Sequence, residues 1–156
     1  MQESRRRFLG WLTGLIAVFM ALLAGVPLIG LLAAPALKRS KQLWVDLGPL
    51  KSVGMNEPTA FTFSYQRIDG WLETMVYGTA YAVRRPGEEL FVLSNICTHL
   101  GCPVRWSDKT RDYLCPCHGG VFDVEGKVVA GPPPRPLARY DYRVVKGTIQ
   151  IRIEQG

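Results

Sequence analysis

The chain has 156 residues, with 19 Lys or Arg against 13 Asp or Glu, a formal net charge of +6. That length supports one ordinary domain plus a small accessory segment. Arg5, Arg6, Arg7, Lys38, Arg39 and Lys41 all flank an uncharged stretch, leaving 13 basic and 12 acidic residues from Leu43 onward. A nearly neutral body excludes nucleic acid as the partner that the total charge would suggest.

From Phe8 to Leu37 no residue is charged, a run of 30 that exceeds the roughly 20 needed to cross a bilayer. Gly10, Gly14, Gly25, Pro27 and Pro35 interrupt it, so one transmembrane helix is predicted over 10–32, after an N-terminal segment 1–9. A buried helix of a soluble protein is shorter and keeps a polar face. Three basic residues lie on each side, so the positive-inside bias does not set the orientation. Ser4-Arg5-Arg6-Arg7-Phe8-Leu9 resembles the twin-arginine export signal, which carries folded proteins across the bacterial cytoplasmic membrane. A plain basic start to an anchor is the alternative. The export reading puts the N-terminus in the cytoplasm and the domain on the outer side, where a disulfide persists. Ala34-Pro35-Ala36 is a weak cleavage site, and its central proline argues for a retained single-pass anchor.

Residues 33–42, AAPALKRSKQ, lack an apolar period and are predicted to be a flexible linker. The rest, 43–156, reads as one all-β domain, a sandwich or a small barrel. Strands are predicted at Leu43–Leu47, Thr59–Tyr65, Trp71–Val83 and Glu89–Ile96. Tyr140–Val145 and Thr148–Ile153 flank Lys146-Gly147 as a hairpin.

The chemistry gathers in two loops, Cys97-Thr98-His99-Leu100-Gly101-Cys102 and Cys115-Pro116-Cys117-His118-Gly119-Gly120. These hold all four cysteines and both histidines of the chain, within 22 positions. Each loop offers a thiolate and an imidazole, the donor types that soft and borderline metals take. A tetrahedral zinc site made from two Cys–His pairs is one alternative. Two disulfides without a metal is another, and it leaves both histidines idle.

CTHLGC followed by CPCHGG resembles the paired cluster-binding loops of the Rieske iron–sulfur family, most strongly over 94–134. The resemblance implies an antiparallel β-sandwich with a small cluster-binding subdomain. It also implies a 2Fe–2S cluster, with Cys97 and Cys115 on one iron and His99 and His118 on the other, and a disulfide between Cys102 and Cys117. Two thiolates rather than four leave the oxidised site less negative, so adding an electron costs less Coulomb energy. In the family the second loop's histidine, here His118, meets the quinol, and Leu100 matches the apolar residue that shields the cluster. Gly101 and Gly119 fit tight turns around sulfur, and 131–134, with Pro132, Pro133 and Pro134, resembles the proline loop over the cluster. Simple packing of Leu100 and a generic surface turn at 131–134 are the plainer readings.

High-potential members of the family carry a serine at the position of Gly120 and a tyrosine at that of Phe122. Both hydroxyls are missing here, and losing two hydrogen bonds to cluster sulfur lowers the potential by on the order of 100 mV or more. A low-potential centre matched to menaquinol is the expectation, with Tyr113 as an alternative donor. The resemblance implies an oxidoreductase subunit, the Rieske component of a dimeric, multi-subunit cytochrome bc-type complex. Its partners are a cytochrome b, a c-type cytochrome, membrane quinol and the bilayer. The small subunit of an exported molybdenum oxidase such as arsenite oxidase is the second expectation. An exported zinc-binding or disulfide-stapled domain without redox activity is the third.

Overall fold

The computed structural model describes residues 2–37, 41–69, 71–87 and 90–155. It divides into two units, one ending at Ser40 and the other spanning Lys41–Gln155.

The first unit is one helix, α1 (Gln2–Leu37), of 36 residues. Its segment Glu3–Ala34, with a mean hydropathy of 2.7, is long and apolar enough to cross a membrane. The helix outruns the expected 10–32 at both ends. Residues 33–37, expected as linker, continue it, and Lys41 and Gln42 already belong to the first strand. Only 38–40 of that expected linker lie outside the described residues. The physical reason is local: Leu31, Leu32, Ala33, Ala34, Ala36 and Leu37 are strong helix formers. Pro27 and Pro35 do not end it, as an apolar segment has few other partners for its backbone groups.

The second unit is all β. Its strands are β1 (Lys41–Pro49), β2 (Thr59–Asp69), β3 (Leu72–Val83), β4 (Phe91–Ser94), β5 (Arg105–Ser107) and β6 (Asp112–Cys115). They continue with β7 (Gly120–Phe122), β8 (Val128–Ala130), β9 (Arg139–Tyr140), β10 (Tyr142–Val145) and β11 (Thr148–Gln155). Three antiparallel sheets result, in the orders β1-β11-β10, β2-β3-β4-β9 and β5-β6-β7-β8. The predicted strand over 89–96 is confined to β4, and residue 89 lies outside the described residues. Lys146 and Gly147 both have positive φ, 50° and 80°, as the two-residue turn joining β10 to β11 demands.

The pleat of β3 and β4 builds two cores at once. Ala80, Ala82 and Val92 pack with Val45, Leu47, Phe63, Ile149 and Ile151. Their neighbours Tyr81 and Leu93 point the other way and pack with Val104, Tyr113, Phe122 and Leu137. Successive side chains on a strand face opposite sides, so this part of the middle sheet is covered on both faces. The second of these cores also contains Cys97 and Cys115.

Candidate metal centre

Loop 97–102 leaves β4 through Ser94, whose buried hydroxyl accepts the Ile96 N–H at 3.2 Å. The Val104 N–H donates to the Asn95 carbonyl at 2.7 Å, and the Cys97 N–H donates to the Cys102 carbonyl at 2.8 Å. Within the loop, the Gly101 N–H donates to the Cys97 carbonyl at 3.0 Å. Loop 115–120 closes the hairpin in which Cys115 of β6 pairs with Gly120 of β7. There the Gly119 N–H donates to the Cys115 carbonyl at 3.2 Å. The same device is used twice, a cysteine carbonyl capped four residues on by a glycine of positive φ, 78° at Gly101 and 68° at Gly119. A side-chain-bearing residue is strained in that conformation.

These turns sort the four cysteines. Cys102 and Cys117 form a disulfide, while Cys97 and Cys115 are buried free thiols. Burial pushes the Cys97 thiol up, the backbone at His99 pulls it back, and the neighbouring Cys115 thiol raises it again. The His99 and His118 rings meet nearly at right angles, their centroids 4.9 Å apart. Nδ1 of His99 is buried and has no hydrogen-bond partner among the described residues, a costly state for a polar atom unless it binds something. His118 is exposed.

The sulfurs of Cys102, Cys115 and Cys117 lie within 4.8 Å of one another. Two of these are oxidised to each other and have no thiolate to offer a metal. Two adjacent buried thiols and two facing imidazoles remain, one with an orphaned nitrogen. That donor set fits a 2Fe–2S cluster held by sulfur on one side and nitrogen on the other.

The surroundings close over this set. Pro133 is buried while Pro132 and Pro134 are exposed, and a Cβ placed on Gly131 would lie 2.6 Å from the Gly119 carbonyl oxygen. Residues 131–134 are thus packed onto the second loop. The Thr98 hydroxyl donates to the Arg135 carbonyl at 2.5 Å, tying the first loop to the same segment. Phe122 is fully buried, whereas Leu100 is 70% exposed.

Sequence reasoning missed Thr98 and Tyr81 and named Tyr113 only as an alternative donor. The Tyr81 hydroxyl accepts the Trp106 N–H at 3.2 Å and donates to the Val104 carbonyl at 3.4 Å. Tyr113 lies between the Tyr81 and Trp106 rings, each centroid 4.9 Å away, and its buried hydroxyl has no partner among the described residues. Burial, then the nearby Tyr81 and Asp123, push its ionisation far upward, so it stays a neutral donor. No signal in the sequence marked these residues, because their hydrogen-bond partners lie 23 to 37 positions away along the chain.

Residues 44–141 match the sequence model of the Rieske [2Fe–2S] domain. The menaquinol:cytochrome c reductase iron–sulfur subunit of Bacillus subtilis is 34% identical over 154 residues, covering 95% of this chain and 90% of that protein. The cytochrome b6-f complex iron–sulfur subunit of Chlorobaculum thiosulfatiphilum is 29% identical over 148 residues, covering 95% and 75%. Among solved structures, a cyanobacterial plasma membrane Rieske protein from Synechocystis aligns with a TM-score of 0.48 at 26% identity, covering 70% of this chain and 99% of that one.

Proposed function

The chain belongs to the Rieske [2Fe–2S] domain family, and on that premise we propose that it is the electron-transfer subunit of a membrane-bound quinol–cytochrome c oxidoreductase of the bc type. The observation that carries the site is the partnerless buried Nδ1 of His99, beside the His118 ring and two buried free thiols. Cys97 and Cys115 would hold one iron, and His99 and His118 the other. Once bound, the cluster takes up one electron at a time, and the known range for Rieske centres is about −150 to +300 mV.

The chain's own residues prepare that chemistry. His118, exposed on its loop, presents a ring nitrogen to a quinol hydroxyl and takes its hydrogen bond and proton. Leu100, also exposed, gives the quinol an apolar neighbour and keeps water from the loops. The Cys102–Cys117 disulfide holds the two loops together, and the proline segment stiffens them through Pro133 and the Thr98 hydrogen bond.

Menaquinol is the substrate this chain suits. Neither Gly120 nor Phe122 carries a hydroxyl to favour the reduced cluster, and the B. subtilis relative is itself named a menaquinol reductase subunit. Electrons leave to a c-type haem, with a cytochrome b forming the quinol site, in a dimeric multi-subunit assembly. α1 anchors the subunit in the cytoplasmic membrane, its N-terminus inside and the β domain outside.

The test is a spin-resonance spectrum and redox titration of dithionite-reduced membranes containing the full chain. A Rieske signal that disappears in Cys97→Ser and His118→Ala supports the ligand set. Iron-free protein holding zinc would end the proposal, and a midpoint near the top of the range would end the menaquinol assignment alone.

A further inference from the structure

The β2–β3 hairpin ends in apolar side chains that no described residue of the domain covers. Asp69 pairs with Leu72 across its tip, and Trp71 between them is 98% exposed. Ile68, Leu72 and Met75 are each more than half exposed. Cross-strand partners share a face, so Ile68 and Met75 lie on one face and Leu72 on the other. A protein docking on a sheet covers one face. A tip that exposes apolar side chains on both faces and at its turn suits a medium that surrounds it.

The tip's location names that medium. The chain reaches the domain at Lys41, and Leu43 and Trp44 of β1 line one surface groove with Gln66 and Ile68 of β2. The hairpin tip therefore sits at the end of the domain where the chain from α1 comes in. We infer that the β2–β3 tip, led by Trp71, is a second membrane contact that dips into the headgroup layer and holds the domain against the bilayer. The inference rests on the proposed membrane span of α1.

Trp is enriched at this depth, where its ring is shielded and its N–H stays wet. Arg67, Asp69 and Glu73 beside the tip carry no excess of positive charge. The contact is thus apolar in origin and requires no anionic lipid.

The experiment uses the full chain in phosphatidylcholine vesicles whose acyl chains are either plain or brominated. Tryptophan emission is compared among wild type, Trp71→Phe and Trp11→Phe. Subtracting each variant isolates Trp71 in the hairpin and Trp11 in α1. The expected result is that both components lose most of their intensity in brominated vesicles, with Trp71 emission shifted to the blue of the unfolded chain. Quenching of Trp11 with Trp71 left bright would overturn the hairpin contact while the span stands. Trp11 left bright would overturn the span, and the inference with it. Shielding of Trp71 only after other subunits are added would make the tip a protein interface and overturn the lipid assignment.

Discussion

Gly120 and Pro133 approach so closely that a Cβ on residue 120 would lie 2.8 Å from the proline's Cγ. The missing serine hydroxyl is therefore coupled to the position of the proline segment. A side chain at 120 requires Pro133 or its neighbours to shift.

Gly120→Ala is expected to lower stability by about 1–3 kcal/mol, the usual cost of overpacking. Gly131→Ala should cost more, because its φ of 90° disfavours a side chain and its Cβ would meet backbone rather than a movable ring. Urea denaturation of the two variants checks the order. A Gly131→Ala protein as stable as wild type would show that the segment is not packed as described.

The Cys102–Cys117 bridge closes a loop of 15 positions. Constraining the unfolded chain over that length is worth about 3 kcal/mol. The paired change Cys102→Ser with Cys117→Ser should lower the denaturation midpoint by a corresponding amount, as should reducing the bridge in wild type. Unchanged midpoints would contradict the structural role of the bridge.

Tyr113 shares a core with Cys97 and Cys115, yet its hydroxyl finds no acceptor among the described residues. Sulfur of a bound cluster would supply one. If that hydrogen bond favours the reduced state by about 0.5–1.5 kcal/mol, Tyr113→Phe lowers the midpoint by roughly 20–60 mV. Redox titration of the two proteins measures the difference, and identical midpoints would leave the hydroxyl without an electronic role.

Lys127, at 2.6 Å, and Arg85 hold the Glu125 carboxyl below its ordinary range. A carboxyl depressed in the folded state stabilises above its unfolded pKa and loses that contribution as pH falls through the folded value. Glu125→Gln should thus be less stable than wild type at neutral pH, the gap closing in acid. Denaturation midpoints at about pH 7 and pH 3 test this; a gap that widened in acid would reverse the sign.

Local patterns made several elements readable. Alternation in Leu43–Leu47 and Thr59–Tyr65 marked β1 and β2, and Lys146-Gly147 marked the last hairpin. The two loops were readable for the same reason, since each packs its cysteines, histidine and turn glycine into six residues. The helix runs past 10–32 because the alanines and leucines around the prolines favour helix. β5, β7 and β8, three residues each, are too short to show a period.

By itself, the sequence determined the apolar helix, the β character of the domain and the chemical types of the donors, because each is written in neighbouring residues. Only the tertiary structure decided which faces meet. Tyr81 and Leu93 turn toward the core holding Cys97 and Cys115, while Ala80 and Val92, one position away, turn from it. That choice depends on how β3 pairs with β4 and what covers each side, a matter of long-range packing that no local pattern records.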